Sequence, residues 1–305
     1  MAFKKKVPKG FNGPTNQPIN SEQGQLWQEA NRNWWQEHPM RYDWGEGITH
    51  QEFTKEFFHE IDRRFFLLVR EYMPWKKIPF DPIVDFKLLN DKDVLEIGVG
   101  SGSHAHLFAQ HARTFTGIDI TDYAIKSASE RMKLFGMKAN ITRMDAENLE
   151  FDDNSFDFIW TWGVIHHSSN TEKILGEMRR VLRDGGKAIT MVYHRNIWNY
   201  YLVGFLYGLL RGDLFRLRSI HKVIQNITDG GMARFYSIDE WRCLSGDYFR
   251  VDDIKIYGQK NEIIPLPGGK IKNTISKIIP DIFGRFLTNR LKLGTFLVSY
   301  LTKTK

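Results

Sequence analysis

The sequence contains a single cysteine, Cys243, among its 305 residues, and it lacks a long apolar run. One cysteine excludes an internal disulfide and a cysteine-based zinc site, and we expect no bound metal. The longest apolar stretch, Trp198 to Leu210, is too short to span a bilayer. No apolar signal segment follows Lys4, Lys5 and Lys6. The sequence therefore predicts a cytoplasmic protein.

Charge is distributed unevenly along the chain. Residues 196–305 hold 17 basic and 9 acidic side chains, a net charge of +8, whereas residues 91–195 hold 13 basic and 15 acidic ones. A basic excess suits nucleic acid, an anionic lipid or an acidic substrate, and it also suits a solvated face with no partner. The charge alone leaves these alternatives open.

Residues 88–195 show short apolar segments alternating with helical ones, the pattern of a parallel sheet covered on both faces. The expected strands are Asp93–Ile97, Thr114–Ile118, Ala139–Arg143, Phe156–Thr161 and Lys187–Tyr193. The expected helices lie near His104–His111, Ala124–Phe135 and Glu172–Leu182. We predict an α/β fold with a doubly wound, Rossmann-like, mostly parallel sheet.

The flanking segments complete the predicted domain organisation. Residues 1–20 are rich in glycine and proline and predict a flexible arm, and residues 21–87 predict a helical lid. Residues 196–305 are expected to supply cap helices and the last strands of the sheet. The lid helices are expected at Glu22–His38 and His50–Tyr72, and the last strands at Arg250–Tyr257 and Leu293–Leu301.

A glycine-rich turn follows the first expected strand, with Gly98, Gly100 and Gly102 after Glu96. Missing side chains let a ligand approach the backbone at the carboxyl end of the strand. A dinucleotide motif would place its third glycine at Ser103. The carboxylate of Glu96 would repel a pyrophosphate but attract the amino group of S-adenosylmethionine.

Acidic residues also follow the next two strands. Asp119 ends the second strand, where its two oxygens suit the hydroxyls of a ribose. Asp145 and Ala146 follow the third, where a carboxylate and an amide suit an adenine ring. These residues predict an adenosine-type ligand.

The fourth strand and its continuation to His167, together with Leu182–Lys187, complete a set of five ordered motifs within about residues 92–195. They resemble the class I S-adenosylmethionine-dependent methyltransferases, especially the small-molecule branch called methyltransferase type 11. The turn before the fifth strand departs from the family pattern, because Asp184 stands where a proline is usual.

The resemblance implies S-adenosylmethionine as cofactor, S-adenosylhomocysteine as product, and a role for each matching residue. Glu96 and the loop from Gly98 to Gly102, which includes Gly100, would hold the methionine end of the cofactor. The remaining implied contacts are Asp119 and Ile120 to ribose, Asp145 and Ala146 to adenine, and Trp162 and Gly163 near the sulfonium.

The expected reaction is an in-line methyl transfer to a small-molecule acceptor such as a sugar, a lipid-linked intermediate or a secondary metabolite. A general base is needed only if the acceptor loses a proton, and His166 and His167 are the candidates. An aromatic lid is expected from Trp34, Trp35, Tyr42, Tyr193, Trp198 and Tyr201, with Trp27 and Trp44 beside them. A second candidate rim is formed by Asp229, Gly230 and Gly231 with Arg234, Tyr236 and Glu240.

Three other functions compete. A nucleic-acid methyltransferase would share the cofactor, but Thr161–Val164 lacks the proline-rich loop that base-modifying enzymes use after the fourth strand. A non-catalytic cofactor-binding protein is opposed by the intact acidic and glycine positions. A nicotinamide oxidoreductase is opposed by Glu96 and Ser103. Residues 270–287 predict a basic amphipathic helix, interrupted by Pro280, whose apolar side suits either packing against the sheet domain or contact with an anionic membrane surface.

Overall fold

The computed structural model describes residues 7–43, 46–266 and 269–305. Its strands are β1 (Asp93–Ile97), β2 (Thr114–Asp119), β3 (Asn140–Arg143), β4 (Phe156–Trp162), β5 (Leu182–His194), β6 (Phe235–Tyr236), β7 (Arg250–Tyr257) and β8 (Phe296–Thr302). They form one sheet in the order β3-β2-β1-β4-β5-β8-β7, with β6 beside β5. The strands from β1 to β6 pair in parallel, and β8 is antiparallel to both neighbours. This mixed sheet confirms the predicted fold class.

Helices cover both faces of the sheet. They are α1 (Ser21–Glu37), α2 (Lys55–Tyr72), α3 (Ser103–Ala109), α4 (Asp122–Leu134), α5 (Thr171–Val181), α6 (Gly204–Leu210), α7 (Asp213–Leu217), α8 (Ile220–Ile227), α9 (Ile238–Gly246), α10 (Lys270–Ile278) and α11 (Asp281–Arg285). Short 3₁₀ turns lie at Phe86–Leu89, Ile165–His167 and Lys260–Ile263, and π-helical turns at Ile197–Val203 and Phe286–Arg290.

Two apolar cores stabilise the fold, one on each face of the sheet. Strand β1 is buried on both faces, as expected for the centre of a parallel sheet. Val94 faces a core that includes Phe65 of α2 and Phe108 of α3. Leu95 faces the opposite core, with Leu175 of α5 and other side chains. The sheet is therefore held rigidly where its strands end.

The interruption predicted at Pro280 is confirmed, because this residue lacks the N–H that a continuous helix needs and separates α10 from α11 and the following π-turn. Two other sequence predictions of element bounds are wrong. Helix α2 begins at Lys55 rather than His50, since the Thr54 hydroxyl accepts the Phe57 amide. The segment Leu182–Lys187 lies inside β5, where Leu182 already pairs with Phe156.

Residues 7–20 form neither helix nor strand, yet they are anchored where the sequence predicts a flexible arm. Phe11 is buried and packs edge-on against Trp27, with ring centroids 5.4 Å apart. Trp27 Nε1 also donates to the Lys9 carbonyl at 3.0 Å. An aromatic side chain in a glycine-rich segment thus fixes its position through burial.

The length and composition of the helices also bear on membrane association. Across the described ranges of the chain, no helix combines the length and the apolar character needed to cross a bilayer.

Candidate active site

The main cavity lies where the strand order reverses between β1 and β4, the usual ligand crevice of an open α/β sheet. It encloses about 1580 Å³, including its opening to solvent. The loops after β1, β2, β3 and β4 form one side, and residues of α1 and α2 form the other. The N-terminal helices therefore cover the carboxyl ends of the strands.

The glycine loop after β1 forms the floor of the cavity. Gly100 has φ = 50°, and a Cβ built on it would meet no atom within 4 Å. A side chain there would therefore extend into open space. Ser101 Oγ donates to the Met40 carbonyl at 2.6 Å and ties the loop to the segment after α1. The loop combines a left-handed backbone with an unobstructed approach for a ligand.

Glu96 lies directly behind this floor, preceding Ile97 and Gly98 of the cavity wall. Its side chain is 1% exposed, and its Oε2 has no hydrogen-bond partner among the residues that the structure describes. Burial raises the pKa of the Glu96 carboxyl well above its usual value; the nearby Asp119 adds to this rise and Arg131 opposes it. A buried carboxylate with an unpaired oxygen favours a cationic ligand group.

Two further carboxylates line the same end of the cavity. Asp119 accepts the amide of Gly100 at 3.2 Å and the amide and hydroxyl of Thr121 at 2.9 and 2.8 Å. Burial raises the pKa of Asp119, and these hydrogen bonds oppose the rise. Asp145 accepts Gln28 Nε2 from α1 at 2.8 Å. Polar ligand groups would therefore meet acceptors from the ends of two adjacent strands.

A buried ion pair supports the loop from below. Arg131 of α4 is 1% exposed, and its guanidinium contacts the Asp62 carboxylate of α2. It also donates to the Ser101 carbonyl and to Ser103 Oγ, both at 3.3 Å. Ser103 Oγ in turn donates to Asp62 at 2.7 Å. Helix α2 is thereby locked to the glycine loop.

The two predicted histidines occupy different environments. His167 lines the cavity, and its Nδ1 lies 2.7 Å from the Met232 carbonyl, so Nδ1 carries the proton that this bond requires. His166 is fully buried, and burial lowers its pKa well below the usual value. Gly230 (φ = 77°) packs so closely on His167 that a Cβ there would overlap the ring. The loop 229–232 therefore fixes the orientation of His167.

The other end of the cavity is aromatic and apolar. Its lining side chains are Trp35, Tyr42, Phe65, Leu68, Val69, Tyr72, Trp162, Met191, Tyr193 and Phe296. A polar member of this wall is Asp229, which accepts the Tyr193 hydroxyl at 2.7 Å. His104 also lines the cavity, next to the glycine loop, where its Nδ1 lies 3.6 Å from Glu96 Oε1 and burial lowers its pKa to about 3. Such a surface excludes water while leaving a few groups to orient a ligand.

The structure brings most of the predicted site residues together. Those in the cavity wall are Gly98, Gly100, Asp119, Ile120, Asp145, Ala146, Trp162, Gly163, His167, Trp35, Tyr42 and Tyr193. Glu96, Gly102 and His166 are buried behind this wall or beneath the loop.

Half of the predicted aromatic lid lies elsewhere. Trp34, Trp198 and Tyr201 are described by the structure but lie outside the cavity wall. Successive residues of α1 point in different directions, so Trp35 lines the cavity and Trp34 does not. The Trp34 ring stacks on His38 instead. Trp198 donates to the Glu262 carbonyl at 3.3 Å, and Tyr201 is 44% exposed. Trp44 lies outside the described residues.

The second candidate rim contributes only Asp229 to the cavity. Arg234 is buried and donates to the carbonyls of Asn16, Ser168 and Ser169, so it joins segments instead of facing a ligand. Glu240 pairs with Arg195. Tyr236 is buried, with its hydroxyl on Thr171 at 3.1 Å.

Sequence reasoning missed Gln28 and His104 as cavity residues. Gln28 lies on α1 between aromatic residues and carries no motif that would single it out. His104 stands in the first turn of α3, directly after the glycine loop, and this position was the available signal. Both positions depend on how α1 and α2 fold back over the sheet.

Comparison with known proteins agrees with this geometry. Residues 95–190 match the family described as "Methyltransferase domain". A 100-residue segment is 38% identical to the phthiotriol/phenolphthiotriol dimycocerosates methyltransferase of Mycobacterium tuberculosis, covering 32% of this chain and 36% of that protein. A 98-residue segment is 33% identical to the phosphatidylethanolamine N-methyltransferase of Cereibacter sphaeroides, covering 32% of this chain and 48% of that protein. The chain therefore spans less than half the length of these two relatives.

Among solved structures, the MccD protein has a similar fold, with a TM-score of 0.51 and 16% sequence identity. The similarity covers 74% of this chain and 96% of that one. It extends beyond the segment of the family match and supports the fold alone.

Proposed function

We propose, from the premise that residues 95–190 belong to the class I S-adenosylmethionine-dependent methyltransferases, that this chain methylates a small molecule with an apolar body. The observation that carries the proposal is the division of one continuous cavity into two chemically different ends. Asp119 and Asp145 lie at the polar end, and Phe65 and Tyr72 lie at the apolar end.

The polar end fits S-adenosylmethionine. The open space over Gly100 leaves room for a ligand backbone, and the unpaired Glu96 oxygen suits a nearby ammonium group. Asp119 would accept the ribose hydroxyls and Asp145 the adenine amino group. Glu96 lies near the end of β1, Asp119 ends β2 and Asp145 follows β3, so the three carboxylates would contact successive parts of one elongated ligand.

S-adenosylmethionine, when bound, would supply a methyl group that passes in line from its sulfonium to an acceptor atom, with S-adenosylhomocysteine as the leaving group. The chain's own residues orient the acceptor and keep the reaction dry. Trp162 and Tyr193 line the cavity and contribute aromatic surface that excludes water. His167 holds its Nδ1 proton on the Met232 carbonyl, so Nε2 is the nitrogen suited to accept a proton from an acceptor hydroxyl or ammonium.

The apolar end indicates the acceptor class. Phe65, Leu68, Val69 and Tyr72 all come from α2 and line a wall suited to a hydrocarbon or ring system. Asp229 provides a polar contact within this wall. The names of two relatives, a dimycocerosates methyltransferase and a phosphatidylethanolamine methyltransferase, support a lipid or lipid-linked acceptor.

The proposal is tested by incubating the protein with methyl-labelled S-adenosylmethionine and separate pools of lipids, polar metabolites and RNA. Mass spectrometry then identifies labelled products. We expect label in the lipid or apolar metabolite pool, and less label with His167→Ala. Label confined to RNA, or to strongly polar metabolites, would contradict the proposed acceptor.

A further inference from the structure

Helices α10 and α11 and the following turn expose apolar side chains that a folded chain would ordinarily bury. Ile271 and Ile278 of α10 are 73% and 75% exposed, whereas Ser276 of the same helix is buried. Ile282 and Phe286 continue the exposure at 73% and 50%. We call the exposed surface of residues 270–292 the C-terminal face. A surface helix ordinarily packs its apolar side inward, whereas α10 turns Ile271 and Ile278 toward solvent.

The C-terminal face is also strongly basic. Residues 270–292 contain six basic residues and one acidic residue, Asp281. Lys270, Lys277, Arg290 and Lys292 are exposed. Asp281 is paired with Lys260 at 2.7 Å, so the single acidic charge is already compensated. Cations around exposed aliphatic side chains are complementary to an anionic surface with an apolar interior.

A second apolar segment joins this face through the turn Lys260–Ile263. Trp198 Nε1 donates to the Glu262 carbonyl, and Lys260 Nζ donates to the Ile279 carbonyl at 3.2 Å. This second segment begins at Ile197, whose side chain is 78% exposed. Gln259, directly before the turn, lines the apolar end of the cavity, as does Phe296. The C-terminal face therefore adjoins the proposed acceptor end.

We propose that the C-terminal face docks on an anionic phospholipid bilayer, with Ile271, Ile278 and Ile282 inserted between headgroups. The cations around them contact lipid phosphates. Nucleic acid would use the cations but gain nothing from exposed isoleucines, whereas a bilayer uses both. Docking would place the acceptor end beside the lipid phase; this consequence alone rests on the proposed function.

The test is co-sedimentation of the protein with phosphatidylcholine vesicles and with vesicles that also contain phosphatidylglycerol, without cofactor. Two variants alter the face: Lys270→Glu/Lys277→Glu and Ile278→Ser/Ile282→Ser. Lys272 is half-buried and is left unchanged. The matched control is Lys133→Glu/Lys138→Glu, near β3 at the opposite edge of the sheet, where both lysines are exposed.

We expect the wild type and the control to bind the anionic vesicles, and each face variant to partition at least about tenfold more weakly. Unchanged melting temperature and S-adenosylhomocysteine binding would show that the variants remain folded. Equal sedimentation of all four proteins would overturn the proposal. A concentration-dependent dimer that Ile278→Ser/Ile282→Ser abolishes, or duplex RNA binding that it leaves unchanged, would also overturn it.

Because sedimentation is measured without cofactor or acceptor, its outcome is independent of methyl transfer. A protein that docks but methylates only a polar metabolite would disprove the proposed acceptor and leave the membrane surface intact.

Discussion

Gln28 Nε2 donates a 2.8 Å hydrogen bond to Asp145 Oδ1, joining helix α1 to the loop after β3. The same amide accepts the Ser169 N–H at 3.0 Å and so reaches the loop region after β4 as well. One side chain thus fastens the N-terminal cover to two loops at the proposed cofactor end. Release of a bound ligand requires this fastening to loosen.

Replacing Gln28 with alanine should therefore accelerate product release. Two partly buried hydrogen bonds are lost, each worth about 1 kcal/mol, and their sum corresponds to roughly thirtyfold faster dissociation of S-adenosylhomocysteine. Stopped-flow displacement measures this rate. Gln25→Ala, on an exposed position of α1, should leave the rate unchanged. Slower release from the Gln28 variant would show that α1 does not retain the ligand.

Gly100→Ala separates backbone strain from loss of a binding surface. Gly100 has φ = 50° and Gly136 has φ = 65°, and neither has an atom within 4 Å of a built Cβ. Alanine at either position should cost about 1–2 kcal/mol of stability through the left-handed backbone. Only the Gly100 variant should lose the rise in melting temperature caused by S-adenosylhomocysteine. An equal rise in both variants would place the ligand elsewhere.

His167→Ala should lower kcat by about 100-fold or more if the acceptor loses a proton, with little change in cofactor affinity. Gly230→Ala should lower kcat by a smaller factor, because its Cβ would displace the His167 ring. His50→Ala, at an exposed position, serves as the control. Single-turnover rates with labelled cofactor measure the effect. An unchanged rate in His167→Ala would remove this residue from the proton transfer.

Glu96 should make cofactor binding depend on pH. Its pKa in the folded chain is raised, chiefly by burial, so the carboxyl is protonated up to a higher pH than in the unfolded chain. The stability advantage of the protonated form is present at low pH and is lost as pH rises through the raised pKa. Ionised Glu96 favours the ligand's ammonium group, so affinity should rise with pH through the same window.

Equilibrium dialysis of labelled S-adenosylhomocysteine at increasing pH, from the ordinary carboxyl value of 4.5 up to the usual α-amino pKa of about 8, measures that rise. Glu96→Gln should bind more weakly, with little dependence on pH in this range. A wild-type affinity that falls as pH rises would contradict the electrostatic role of Glu96.

Asp62→Ala should destabilise the protein strongly. It leaves the Arg131 guanidinium, which is 1% exposed, without its carboxylate, and breaking such a pair costs about 3 kcal/mol or more. Asp91→Ala, which removes an exposed pair with Lys92, should cost less than about 1 kcal/mol. Urea unfolding compares the two. Similar midpoints would mean that the ion pair beneath the glycine loop adds little to stability.

The sheet and the polar residues at the ends of its strands could be predicted from sequence, because short local sequence patterns determine them. An apolar strand, a glycine turn and an acidic residue within about ten positions identify the loop from Glu96 to Gly102. Asp119 and Asp145 follow the same rule at the ends of β2 and β3. Each residue's position is set by the strand that precedes it.

The residues that cover the cavity could be predicted only in part, because their positions depend on packing between segments that are distant in sequence. Trp34 and Trp35 are adjacent in sequence, yet only Trp35 lines the cavity. Trp198 lies in a π-turn whose wider spacing alters the direction of successive side chains. The position of His104 directly after the glycine loop was a local signal, but its contact with Phe65 depends on the packing of α2 over α3.

Calorimetric titration of S-adenosylhomocysteine into the wild-type protein and into Asp119→Ala tests the proposed cofactor site directly. We expect one site per chain in the wild type and an affinity at least about tenfold weaker in the variant, since charge-assisted hydrogen bonds contribute about 1.5–3 kcal/mol. Wild-type protein that binds no S-adenosylhomocysteine, or an Asp119→Ala variant that binds it equally well, would contradict the assignment of this crevice to the cofactor.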